Sequence, residues 1–243
     1  MSTTTTSPRT RIRPALTDLG PVAQLRAGRL ARRLPQLYVG LVLYGVSLAM
    51  MVRAELGLAP WDVLHSGLAR FLPLSLGEVI VVMSFVVLLL WIPLREMPGL
   101  GTVSNAIVVG LAADATLGVL VTPDALWQRV TLLVLGIVGN GLATALYIGS
   151  QLGRGPRDGL MTGLSRRTGW SLRLVRTGLE VTVVILGLLL GGVLGLGTVL
   201  YAVLIGPLAQ LMLPWFTVAL GAPDAPHRRD AGRLPPAGDR RAA

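Results

Sequence analysis

Only 12 of the 243 residues are acidic, and several of these stand where a carboxylate has a specific use. Asp62 and Asp158 each follow a proline by two residues, with Pro60 and Pro156 preceded in turn by Gly57 and Gly153. A proline suits the first turn of a helix, where its missing N–H would go unpaired anyway, and a carboxylate two residues on meets the free N–H groups and positive end of the dipole. Two readings stay open: a pair of well-capped helix starts, or two half-helices whose Asp62 and Asp158 line a polar cavity that binds a solute. Asp114 is the acid most exposed to a functional argument. It lies ~22 Å along an apolar helix, a depth at which ionisable groups are costly and face the bundle interior. Asn105 precedes it by nine residues, half a turn out of phase, so the two should face different surroundings. Arg176 and Glu180 stack four apart on one helix face, either as an anchoring ion pair or as part of a binding site. Pro60, Asp62, Pro156, Asp158, Asp114, Asn105, Arg176 and Glu180 are therefore the candidate substrate-binding residues.

The elements that must position them are helices in a bilayer. Hydrophobic residues make up 52% of the chain and charged residues 14%, about half the share usual in soluble domains. Apolar runs near 36–53, 76–94, 99–121, 129–150, 174–193 and 196–219 each approach the ~20 residues that span ~30 Å of hydrocarbon. Two shorter segments, 60–72 and 156–168, read as re-entrant or interfacial helices, so six spans are favoured over eight. The net charge of +10 comes wholly from arginine, clustered at both chain ends and around 154–176. In a membrane chain this marks the cytoplasmic side, and it requires no nucleic acid. Residues 1–33 and 220–243 read as disordered basic cytoplasmic tails, with no removable signal peptide.

Shifted by 96 residues, the chain matches itself without gaps. Gly57, Pro60, Asp62, Leu64, Gly67 and Leu68 lie over Gly153, Pro156, Asp158, Leu160, Gly163 and Leu164, and Gly-Leu-Gly-Thr-Val at 99–103 over the same five residues at 195–199. Roughly a third of positions 33–118 are identical to their partners. Repeats at 34–120 and 121–219, each with three spans and one short helix, would be inverted copies about an axis in the membrane plane. Four spans each would make them parallel.

These motifs, with Gly-Pro-Arg-Asp-Gly-Leu-Met at 155–161 the most specific, resemble the YczE-type bacterial membrane proteins, which are distantly similar to the YitT-like group. The resemblance covers about 36–215 and implies a plasma-membrane protein with no established substrate. The first half departs from the motif at Ala59 and Trp61, where the second has Gly155 and Arg157.

The chemistry otherwise present is sparse. The chain has no cysteine and two histidines, His65 and His227, and no Ser/His/Asp set or His-Glu-x-x-His, so neither an enzyme nor a metal or cofactor site is expected. The glycine-rich 99–103 and 195–199 lack the Lys-Ser/Thr of a phosphate loop and read as tight turns into helices capped by Thr102 and Thr198. The expectation is an all-α, polytopic, duplicated plasma-membrane protein acting on a small solute. The rival is a non-transporting scaffold that binds a second copy or a partner membrane protein.

Overall fold

The computed structural model describes residue 16 and residues 19–220. Among these, regular structure is entirely helical: α1 Pro21–Arg26, α2 Leu30–Ala54, α3 Pro60–Leu68, α4 Leu76–Leu94, α5 Leu100–Val119, α6 Leu126–Gly149, α7 Pro156–Thr168, α8 Leu172–Leu189 and α9 Leu196–Phe216. Helical order thus begins inside the segment 1–33 read as tail, and the tail assigned to 220–243 lies outside the described residues apart from Leu220. Five helices, α2, α4, α5, α6 and α9, are long and apolar enough to cross a bilayer. The sixth expected span, α8, is 18 residues long and carries Arg173, Arg176 and Glu180, which dilute its apolar character.

The helices α2, α3, α4 and α5 begin 96 residues before α6, α7, α8 and α9 respectively. Pro60 and Pro156 open α3 and α7 at the first helical position, as the spacing predicts. Thr102 and Thr198 accept the backbone N–H of Gly99 and Gly195 at 3.1 and 3.3 Å, so each threonine restrains the helix start from inside the first turn. Ser75 and Glu78 form a reciprocal cap on α4; Glu78 is thereby a capping residue.

Helix α2 packs along α6 at the centre. Gly40 lies against the backbone at Tyr147 and Gly136 against Ser47 and Met51, so the two helices run antiparallel. Within the halves α2 packs on α5 and α6 on α9, while the short helices cross between the halves: α3 packs on α8, and α7 on α4. The loops before α3 and α7 are pinned in the same crossed way, with Gly197 N–H donating to Leu56 O at 2.8 Å and Gly101 N–H to Leu152 O at 2.7 Å. Gly57 (φ +123°) and Gly153 (φ +136°) make these turns possible, because a Cβ at either would strike the opposing backbone and the conformation excludes most side chains.

One pairing is not matched. Helix α4 packs tightly on α5, Gly77 lying against Gly110, whereas α8 barely touches α9. Position 173, 96 residues after Gly77, is an arginine, and nothing approaches Gly206, 96 residues after Gly110. Gly187, Gly191 and Gly195, spaced four apart in the sequence, do not lie on one helix, since α8 ends at Leu189 and Gly191 adopts a left-handed turn. Each meets a different neighbour: Gly187 the backbone of Val63, Gly191 the Arg70 side chain and Gly195 the backbone of Leu56.

Candidate functional site

The first turns of α3 and α7 approach each other through Asp62, Trp61 and Arg157. Asp62 is 4% exposed; its Oδ1 lies 3.0 Å from Nδ1 of His65, itself 1% exposed, and 3.5 Å from a terminal nitrogen of Arg157. The His65 bond spans one helical turn of α3, while the Arg157 contact joins the two short helices. The Arg157 guanidinium also lies over the Trp61 ring, 5.2 Å from its centroid. Residues 61 and 157 are 96 apart, so the stacking joins equivalent positions, which places it where the two halves meet.

Asp158, on the next residue of α7, accepts a hydrogen bond from the Tyr147 hydroxyl of α6. Among the described residues it has no ion-pair partner within 4.0 Å. The Tyr147 ring meets Tyr44 of α2 edge-on at 6.2 Å. Tyr201 of α9 donates to Asn140 of α6 at 3.0 Å. Positions 44 and 105 correspond to 140 and 201 at the same spacing, so a Tyr/Asn pair recurs with its members exchanged. Tyr44, Asn105, Ser84, Tyr147, Arg157 and Asp158 line a small cavity of about 40 Å³. A second, wider cavity of about 390 Å³ lies between the C-terminal end of α6, α7 and α8, and is bounded by Ile148, Asp158, Met161, Thr162, Leu172 and Arg176 among others. Asp158 borders both. Gly155 keeps the approach open, since a Cβ there would come within 3.0 Å of the Asp158 carboxylate and 3.3 Å of the Tyr147 hydroxyl.

Of the residues singled out in the sequence, Pro60, Asp62, Pro156, Asp158 and Asn105 therefore belong to this central region. Arg176 and Glu180 pair at 2.8 Å on α8, and Arg176 reaches the wider cavity. Asp114 does not join them. Its carboxylate accepts from the Ser75 hydroxyl and from Gly77 N–H, the latter at 2.8 Å, so it caps the start of α4 from the neighbouring helix. This half-buried carboxylate, with no basic partner among the described residues, is met by N–H and O–H donors at a helix N-terminus.

Sequence reasoning gave no site role to Arg157, Trp61, Tyr44, Tyr147 or Tyr201. Trp61 and Arg157 stood out only as a departure between the two copies, and the exchanged Tyr/Asn positions were legible in the same alignment as polar residues that fail to match. Of the positions that differ between the copies, Trp61 and Arg157 touch each other, and Tyr201 bonds Asn140. No group of three or more His, Cys, Asp or Glu side chains is placed to hold a metal ion among the described residues.

Residues 31–214 match a family described as a family of unknown function (DUF6198). An uncharacterized protein of Haemophilus influenzae is 42% identical over 177 residues, covering 73% of this chain and 81% of its own. The uncharacterized membrane protein YczE of Bacillus subtilis is 32% identical over 180 residues, covering 73% and 83%. The uncharacterized protein YyaS of the same species is 27% identical over 183 residues, covering 72% and 90%. No solved structure matches the chain. With five apolar helices of spanning length and a match over most of the sequence, the chain belongs to this YczE-type family and is a multi-pass membrane protein.

Proposed function

We propose that the protein is a small-solute transporter of the bacterial plasma membrane, built from two inverted halves, with both termini in the cytoplasm. The carrying observation is the meeting of α3 and α7, one from each half, in a buried polar cluster of Asp62, His65 and Arg157 beside Asp158. Short helices that end inside a bundle, with ionisable groups between repeat units, are the arrangement by which secondary transporters hold a solute near the bilayer midplane. The antiparallel packing of α2 on α6 and the common spacing of 96 residues support inversion. The arginine-rich ends support cytoplasmic termini.

Rocking one half against the other about Trp61 and Arg157 would expose the cluster to each side in turn. The test is uptake into proteoliposomes from a panel of amino acids, amines, carboxylates and inorganic ions. Transport of at least one solute is expected, lost in Asp62→Asn and Arg157→Gln with insertion intact. A protein that moves and binds nothing in the panel, and is indifferent to both substitutions, refutes the reading.

A further inference from the structure

We infer that the wider cavity is the entry site for an amino-acid-sized zwitterion with an apolar side chain, its ammonium group held by Asp158 and its carboxylate by Arg176. The inference rests on the transporter reading and names the substrate class of that site. Asp158 is the one carboxylate of the central region that has no basic partner within 4.0 Å among the described residues. Asp62 meets Arg157 and Glu180 meets Arg176. The Tyr147 hydroxyl engages Oδ2 of Asp158, and Oδ1 has no hydrogen bond among the described residues. An ammonium group supplies both the missing charge and donors for that oxygen.

Arg176 supplies the opposite end. Its Nε donates to Glu180 at 2.8 Å, while its two terminal nitrogens make no hydrogen bond among the described residues. These nitrogens remain available for a carboxylate, and the planar fork favours a carboxylate over a spherical anion. The two groups line one cavity of about 390 Å³, large enough for such a molecule. Between them Ile148, Met161 and Leu172 provide an apolar wall for the side chain. A solute with one charge would leave either Asp158 or the Arg176 fork unanswered on desolvation. From this cavity Asp158 leads to the inner one, at the first turn of α7.

The test uses the full chain in lipid nanodiscs, titrated by calorimetry with L-leucine, with 3-methylbutylamine and with 4-methylpentanoate. The last two are leucine without its carboxylate and without its ammonium. Leucine should bind, and each single-charge analogue should bind at least about tenfold more weakly. Asp158→Asn and Arg176→Gln should each weaken leucine by about tenfold or more. Thr162→Trp, a half-exposed position on the cavity wall, should abolish binding with little change in thermal midpoint, which guards against variants that merely misfold. Absence of leucine binding, equal affinity for either analogue, or unchanged affinity in all three variants overturns the inference. If another class of solute binds or is transported in an Arg157-dependent way, the zwitterion assignment fails alone; if nothing in the wider panel binds, the transporter reading fails with it.

Discussion

Two arginines are kept inside this fold by different means. Arg33 has no exposed surface and no carboxylate; it donates to the carbonyls of Ser150, Gln151 and Gln24, each at 2.7 Å, and to Gly28 at 3.2 Å. The Ser150 and Gln151 carbonyls lie at the end of α6, where four carbonyls lack intrahelical donors, so the guanidinium binds α2 to a helix C-terminus. Arg129, 96 residues on, instead pairs with the exposed Glu55 carboxylate. Arg33→Gln should therefore cost about 3 kcal/mol of stability, with carbonyls left unpaired. Arg129→Gln should cost less than about 1 kcal/mol. Reversible denaturation in mixed detergent micelles measures both, and equal losses would contradict the contrast. Arg157 is held by a partly exposed charge pair, and a double-mutant cycle of Asp62→Asn with Arg157→Gln should give a coupling of about 1–2 kcal/mol. A coupling near zero would mean that the pair at 3.5 Å does not bind the two short helices together.

Between elements, the telling difference is between the α4–α5 and α8–α9 pairs. Gly110 lies against the Gly77 carbonyl, while nothing lies within 4 Å of a Cβ at Gly206. Gly110→Ala should destabilise the protein by about 2 kcal/mol through overpacking. Gly206→Ala should be neutral or stabilising by up to about 1 kcal/mol, because alanine is the better helix former. Thermal unfolding of the two variants decides it. A similar contrast governs the short helices. Trp91 packs against Gly159 and donates from Nε1 to the Pro156 carbonyl at 3.0 Å, whereas at the corresponding contact Gly187 meets Val63. A tryptophan ring fills the first contact, whereas the second is a close approach of Gly187 to the backbone of the short helix. Gly159→Ala would drive a methyl into the Trp91 ring and should displace α7, seen as loss of solute binding along with stability.

At the scale of the whole molecule, the proposed inversion can be tested directly because the chain has no native cysteine. Ser66 and Thr162 are 96 residues apart on α3 and α7. Single cysteines at the two positions should react with an impermeant maleimide from opposite faces of sealed vesicles, and labelling from the same face would indicate parallel halves. The apolar runs, the two Pro-x-Asp helix starts and the spacing of the copies are local or periodic properties, so the sequence alone determined them: hydropathy sets what a bilayer will accept, and proline and glycine restrict backbone angles wherever they stand. Even there, the short-range rule stopped at α8, whose Arg173, Arg176 and Glu180 interrupt its apolar run and whose place in the bundle is set by packing on α3 and α7. The tertiary structure decided which polar residues meet. In the linear chain Asp114 and Asp158 both stand as candidate binding acids. One ends against Ser75 and Gly77, closing a helix start, and the other between two cavities. That difference arises from the crossed packing of the two halves, which brings together side chains far apart in the chain, and no local pattern encodes it.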